Sequence, residues 1–253
     1  MDRIRIALLG GLDVRLPSGQ AMNLSSRKAQ GLLAYLALRP GQFHTRDKLA
    51  TLLWGDASDE RARHSLRQAL LTLRRSLAAI SPGLVVVAGD TLAVDASQVE
   101  VDQEAFERLA AEGTYRSLEA AASLYRGEFL EGLHVTEPAF QEWVAGQRVR
   151  LRERAVEVLA RLLQHQRGNG EVEPAIQTAL RLLRLDRTQE VVHRTLIQLY
   201  ARQGRRAEAL RQYRACVGVL RGELGVEPEP ETVRLYREIL RPQVAPRPLA
   251  GQA

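Results

Sequence analysis

The sequence predicts a mainly α-helical protein with small antiparallel sheets, in which an N-terminal winged helix-turn-helix is followed by an all-helical, tetratricopeptide-like domain. Two observations predict this fold class. Short strand-like and helix-like segments alternate up to about residue 98, and beyond it apolar residues recur almost throughout at helical spacing. The 253 residues suffice for two domains. We therefore expect domains at residues 1–98 and 99–241, followed by a segment at 242–253.

The first elements are a small sheet and two helices. RIRIALLGGLDVRL alternates like a strand and breaks at Gly10-Gly11, which predicts antiparallel strands. SSRKAQGLLAYLALRP has a helical pattern with Ser25 or Ser26 as its N-cap, and Thr45 is placed to cap the next helix, RDKLATLLW.

The third helix, at residues 61–79, carries leucines on one side and polar residues on the other. Its sequence begins RARHSLRQALLTLRR, and its apolar stripe would pack on the core. The opposite side consists of Arg61, His64, Gln68, Leu71 and Arg75, flanked by Ser65, Arg67 and Thr72. The helix should stop near Ser81-Pro82-Gly83, and Val85 to Val94, around Gly89-Asp90, has the pattern of a hairpin that would form the wing. In a winged helix-turn-helix, this polar side of the third helix faces the major groove of DNA.

The second domain is predicted to be helical throughout. Helical segments are expected near residues 103–112, 115–130, 138–168, 171–185, 189–203, 206–223 and 231–240. Gly170 and Ala175 match Gly204 and Ala209 at an offset of 34 residues, which is the tetratricopeptide period. Stacked helical hairpins of this kind present concave surfaces for protein contact.

The positive charge of the chain is concentrated in its first part, as expected for binding of an anionic polymer. Residues 1–95 hold 13 Lys and Arg against 8 Asp and Glu, whereas the rest holds 23 against 22, so the positive excess lies where the third helix is. The sequence contains no signal peptide and no membrane span of roughly 20 apolar residues. The lone Cys216 is interpreted as a core residue. These features predict a cytoplasmic protein.

The sequence offers little for catalysis, metal or cofactor binding. Gly10-Gly11 is not followed by the Lys-Ser/Thr of a phosphate loop, and the five histidines lack metal-ligand spacing. Glu137 and Glu142 fit an amphipathic surface, and Trp54 and Trp143 read as core anchors. We therefore expect no enzyme, no cofactor and no metal site.

Several segments together resemble the SARP type of bacterial transcriptional activator. They are RIALLGGLDVRLPSG, RKAQGLLAYLALRPGQFHTRDKLATLLWGD, ARHSLRQALLTLRRSL, VDQEAFERLA and LYRGEFLEGL, and the resemblance covers residue 3 to about 241. It implies an OmpR/PhoB-like winged helix followed by a bacterial transcriptional activation domain. It also implies a nucleoid-associated activator that binds direct repeats in double-stranded DNA as a side-by-side homodimer, recruits RNA polymerase holoenzyme and controls secondary metabolism.

The resemblance also implies a set of DNA-contacting residues. On the recognition helix they are Arg61, Arg63, His64, Arg67, Gln68, Thr72 and Arg75. Phosphate contacts are implied for Arg27, Lys28, Thr45, Arg46 and Lys48. Arg and Gln carry paired hydrogen-bonding groups that match guanine and adenine edges, whereas phosphate contacts need only a donor.

Two points leave alternatives open. The wing AGDTLAVD has no Arg, Lys or aromatic residue, which argues against a minor-groove contact. The tail RPQVAPRPLAGQA fits a frayed terminus or the start of a linker to a further domain. In the second case, the chain would be the N-terminal protein-interaction or scaffold module of a larger signalling regulator.

Overall fold

The computed structural model describes residues 3–77 and 83–241, and these residues form two compact units divided between Val158 and Leu159. The boundary proposed near residue 98 falls inside the first unit and stays a proposal. The predicted tail at 242–253, the last two residues of the predicted helix 61–79 and its stop near Ser81-Pro82 lie outside the described residues.

The first unit contains two small sheets. Strand β1 (Ile4–Ala7) pairs antiparallel with β2 (Asp13–Arg15) and parallel with β6 (Val99–Val101). The second sheet has the order β3-β5-β4, from β3 (His44–Thr45), β4 (Val85–Ala88) and β5 (Thr91–Val94). The hairpin of β4 and β5 is the predicted wing, whereas β6 and its parallel pairing were not predicted.

Three helices complete the winged helix-turn-helix. They are α1 (Arg27–Ala37), α2 (Arg46–Trp54) and α3 (Asp59–Leu77). Ser26 caps α1 by accepting from the Ala29 amide, and Thr45 caps α2 by accepting from the Lys48 amide, as the sequence predicted.

Helices α4 (Asp102–Glu112), α5 (Tyr115–Leu124) and the first part of α6 (Pro138–Gly168) belong to the same unit. The Asp102 carboxylate accepts hydrogen bonds from the amides of Leu8 (2.7 Å) and Leu9 (3.1 Å) and thereby joins the chain beyond β1 to the start of α4. Gly31 of α1 lies against Phe140, where an added Cβ would approach the ring to 3.1 Å.

The prediction of a helix to residue 130 was wrong, because α5 ends at Leu124. The following segment is bound by the backbone beyond β1: the Gly10 amide donates to the Glu128 carbonyl (3.0 Å), and the Leu130 amide donates to the Leu8 carbonyl (3.0 Å). These hydrogen bonds to a distant part of the chain replace the helical ones.

The second unit continues with α7 (Val172–Leu185), α8 (Glu190–Arg202), α9 (Arg206–Val219), a π-helical turn (Leu220–Leu224) and α10 (Pro230–Leu240). The predicted repeat has a backbone counterpart. Gly170 (φ 75°) follows the end of α6, and Gly204 (φ 72°) follows the end of α8. Both adopt the left-handed conformation. In each copy, the amide of the residue after the glycine donates a hydrogen bond of 2.9 Å to the carbonyl five residues earlier. The donors are the amides of Glu171 and Arg205.

Within the described part of the chain, no helix combines the length and the apolar character needed to cross a membrane. The same residues contain no group of three or more His, Cys, Asp or Glu arranged to hold a metal ion.

Candidate nucleic-acid interface

Helix α3 is fixed by one apolar side. Its buried residues are Ala62, Leu66, Ala69, Leu70, Leu73 and Leu77. Acidic residues occupy its first turn and basic residues its last, which complements the helix dipole at both ends. Burial of one side therefore leaves the orientation of the opposite side little freedom.

The predicted recognition residues share the exposed side of α3. Those exposed to solvent are Arg61, Arg63, His64, Arg67, Gln68 and Arg75. Thr72 is half-buried, and its hydroxyl donates to the Gln68 carbonyl (3.0 Å), so it is turned toward its own helix. Leu71 is 44% exposed between them. The predicted exposed side is thus present, and its contact with DNA stays a prediction.

The side chains on this surface differ in their freedom to meet a ligand. Arg63 Nε donates to Asp47 Oδ1 of α2 at 2.8 Å, which raises the pKa of Arg63 and lowers the pKa of Asp47. Among the described residues, Arg61, Arg67 and Arg75 form no side-chain hydrogen bond or ion pair. Three arginines are therefore available for an anionic partner without breaking a contact to the described residues.

The start of α2 lies beside the tip of the wing. The Arg46 amide donates to the Asp90 carbonyl (2.9 Å), and Arg46 Nε is 3.8 Å from Asp90 Oδ1. Thr45 is exposed, and the Lys48 ammonium is 5.9 Å from the centre of the Tyr35 ring. Thr45, Arg46 and Lys48 are thus brought together at one helix end, with an acidic wing tip beside them.

The two basic residues at the start of α1 have different surroundings. Arg27 is exposed, whereas the Lys28 ammonium is hydrogen-bonded to the Glu137 carboxylate and lies 5.2 Å from the centre of the Trp54 ring. The interpretation of Glu137 as a surface residue was wrong, because its packing at the start of α6 leaves it only 6% exposed. Lys28 neutralises this buried carboxylate, and its predicted phosphate contact would require it to leave that partner.

The wing is apolar on its outer strand and has an acidic tip. Gly89 adopts φ 57° at the turn, a conformation that glycine accepts at little cost, and Val87 of β4 is exposed. The absence of a minor-groove contact by the wing stays a prediction.

Sequence reasoning missed two contributors to this surface. Arg74 is exposed in the last turn of α3 beside Arg75, and its charge in a run of arginines was the available signal. Asp47 was also missed, because its partner Arg63 is 16 residues away and only the turn between α2 and α3 brings them together.

Comparison with known families divides the chain in two. The sequence model of the family described as bacterial transcriptional activator domain matches residues 92–240, which is more than half of the chain. The one described as transcriptional regulatory protein, C terminal, matches residues 19–89.

The sequence identity to individual relatives is low, but the matches extend over most of this chain. The chain is 29% identical to the regulatory protein AfsR of Streptomyces coelicolor over 88% of its own length, and spans only 23% of that relative. It is 26% identical to the transcriptional regulatory protein MoaR1 of Mycobacterium tuberculosis, over 94% of this chain and 79% of the relative.

A solved structure has the same fold. The structure of Mycobacterium tuberculosis EmbR in complex with a low-affinity phosphopeptide superposes with a TM-score of 0.70, at 24% identity. The match covers 95% of this chain and 65% of that one.

Proposed function

The chain belongs to the bacterial transcriptional activator domain family of transcriptional regulators, and from that premise we propose that it activates transcription by binding specific DNA sequences through α3. The observation that carries the proposal is the exposed side of α3, where Arg61, Arg67 and Arg75 have no described partner and stand on a helix held by a buried leucine stripe. A second helix of a helix-turn-helix presents such a side to the major groove.

The chemistry of the side chains supports separate roles in base recognition and in the other DNA contacts on this surface. We propose that Arg67 and Gln68, adjacent and both exposed, read base edges, because each can make two hydrogen bonds to one purine. The remaining contacts would be made by Arg61, Arg63, His64, Thr72 and Arg75 on α3, and by Arg27, Lys28, Thr45, Arg46 and Lys48 around it.

The proposed partners rest on the family likeness. We propose that two copies bind direct repeats side by side and that the helical second unit supports recruitment of RNA polymerase. Repeated helical hairpins present extended surfaces suited to such protein contacts. Control of secondary-metabolism genes is part of the same proposal, which rests on the family likeness.

Selection from a random pool of double-stranded DNA tests the proposal. The purified chain is incubated with the pool at about 0.15 M salt, where nonspecific phosphate binding is weakened, and bound molecules are amplified and sequenced over several rounds. A direct repeat with half-sites roughly one helical turn apart would support tandem binding. A pool without an enriched motif would contradict direct sequence-specific binding by this chain. It would favour the alternative of a protein-interaction module.

A further inference from the structure

A small cleft opens in the first unit where four elements meet. Its walls come from the end of α1, from β3, from the first turn of α2 and from α6, and its volume is about 210 Å³. The lining includes Tyr35, Arg39, His44, Lys48, Trp143 and Gln147. These side chains differ from the recognition residues of α3, and Lys48 is the one lining residue that also belongs to the proposed DNA contacts.

The cleft is positively charged. Arg39 and Lys48 are exposed, no carboxylate is among its lining residues, and neither cation forms an ion pair within the described part of the chain. Lys48 also belongs to the first turn of α2, where the helix dipole adds positive potential. A negatively charged group in the cleft would therefore meet two cations, with no carboxylate among the residues that line it.

His44 supplies the second, independent indication of a ligand. The residue is 7% exposed, and its Nε2 has no hydrogen-bond partner among the described residues. Burial lowers its pKa, and the nearby charges of Lys48 and Arg39 lower it further. A buried polar atom without a partner is costly, and an anion would both offer an acceptor and offset the two positive charges.

Aromatic rings form the rest of the wall. The Tyr35 and Trp143 rings are 4.8 Å apart between centroids, and the Tyr35 ring meets the His44 ring edge-on at 5.0 Å. Trp143 is held in turn by Phe129 and Phe140. A rigid aromatic wall beside two cations suits a planar group that carries a charge at one end.

We propose that this cleft is an oxyanion-binding site, in which Arg39, Lys48 and His44 bind a phosphate or carboxylate group. The group can come from two sources, a small aromatic phosphate or carboxylate or the DNA backbone. The second source rests on the proposed DNA-binding function, whereas the first is independent of it.

Titration of the whole chain with phenyl phosphate, followed by nuclear magnetic resonance, tests the site without DNA. We expect saturable shifts of the Trp143 indole and His44 ring signals, little change at Trp54, and a rise in the pKa of His44. Inorganic phosphate tests the charge alone, and uncharged phenol tests the ring alone. Arg39→Ala and Lys48→Ala should each weaken phenyl phosphate binding at least about fivefold, or about 1 kcal/mol. Arg116→Ala, at an exposed position on α5, should not.

A DNA titration identifies the source. With a duplex of arbitrary sequence at low salt, a backbone source predicts that Arg39→Ala, which lies outside the other proposed DNA contacts, lowers the affinity. It should also reduce the slope of log affinity against log salt concentration by about 0.9. The same source predicts that DNA shifts the His44 and Trp143 signals and that phenyl phosphate competes with DNA. A small-molecule source predicts weakened phenyl phosphate binding but unchanged DNA affinity in Arg39→Ala, and no shift of the two ring signals by DNA.

The proposal is overturned if phenyl phosphate gives no saturable shift up to about 10 mM and DNA leaves both ring signals unmoved. A chain that binds phenyl phosphate but no DNA would refute the proposed function and leave the oxyanion site standing.

Discussion

Arg63 of α3 and Asp47 of α2 form an ion pair across the helix-turn-helix, with Arg63 Nε 2.8 Å from Asp47 Oδ1. Both side chains are more than half exposed, and exposed ion pairs contribute little to stability. The consequence concerns ligand binding, since the pair places a carboxylate on the proposed DNA-binding surface and engages one of its arginines.

The first prediction concerns this carboxylate. Asp47→Asn removes a negative charge and leaves the Arg63 charge unopposed, so we expect tighter binding to DNA of arbitrary sequence. The slope of log affinity against log salt concentration should steepen by about 0.9 if Arg63 then contacts a phosphate. Fluorescence anisotropy at several salt concentrations measures both quantities. Glu112→Gln, which removes the carboxylate of the Arg108–Glu112 pair on α4, is the matched control. Weaker binding by Asp47→Asn would instead indicate that Asp47 holds Arg63 in its binding position.

The second prediction tests base recognition. Arg67→Ala combined with Gln68→Ala should abolish the preference for a selected site over random DNA, because each two-point base contact is worth about 1–3 kcal/mol of discrimination. Affinity for random DNA should fall much less. Competition binding against both DNAs measures the ratio, and circular dichroism checks the fold. Arg116→Ala removes one exposed arginine of α5 and should leave the ratio unchanged. Retained discrimination in the double variant would rule out these two residues as the readers.

The third prediction concerns the repeat turns of the second unit. Gly204 has φ 72°, so Gly204→Ala places a side chain in a left-handed conformation and should cost about 1–2 kcal/mol of unfolding free energy. Gly218 lies in α9 with nothing within 4 Å of an added Cβ, so Gly218→Ala should raise the free energy of unfolding by about 0.5–1 kcal/mol. Urea unfolding of the two variants makes a matched comparison. Equal effects of the same sign would contradict the assigned backbone conformations.

The fourth prediction is a pH dependence. His193 is buried in α8, where the Gln212 amide donates to its Nδ1 (2.6 Å) and its Nε2 donates to the Arg187 carbonyl (2.9 Å). Burial lowers its pKa below the ordinary 6.5, so the unfolded chain takes up a proton first as the pH falls. Stability from this group is therefore present above about pH 6.5 and decreases below it.

Thermal unfolding between about pH 7.5 and 5.5 measures this dependence. His193→Gln should lower the melting temperature at both pH values but flatten its decline with falling pH. A decline of the same steepness in His193→Gln would assign it to other groups.

The sequence by itself determined those regular elements whose signals are local. The leucine stripe of α3 is a helical repeat within one segment, and α6 was predicted with both of its bounds, 138 and 168. The two repeat glycines are likewise recognisable from a fixed offset, since each copy needs the same left-handed residue after its helix.

Tertiary structure decided what depends on distant partners. The segment after α5 left the helix because the backbone near Leu8 and Gly10 supplies other hydrogen bonds, and β6 forms because β1 lies beside it. Lys28 meets a buried Glu137 that is 109 residues away, and four elements must converge to set His44, Lys48 and Trp143 around one cleft. Local propensity and periodicity carry no information about such pairs, because their energy arises only when the folded chain brings the partners into contact.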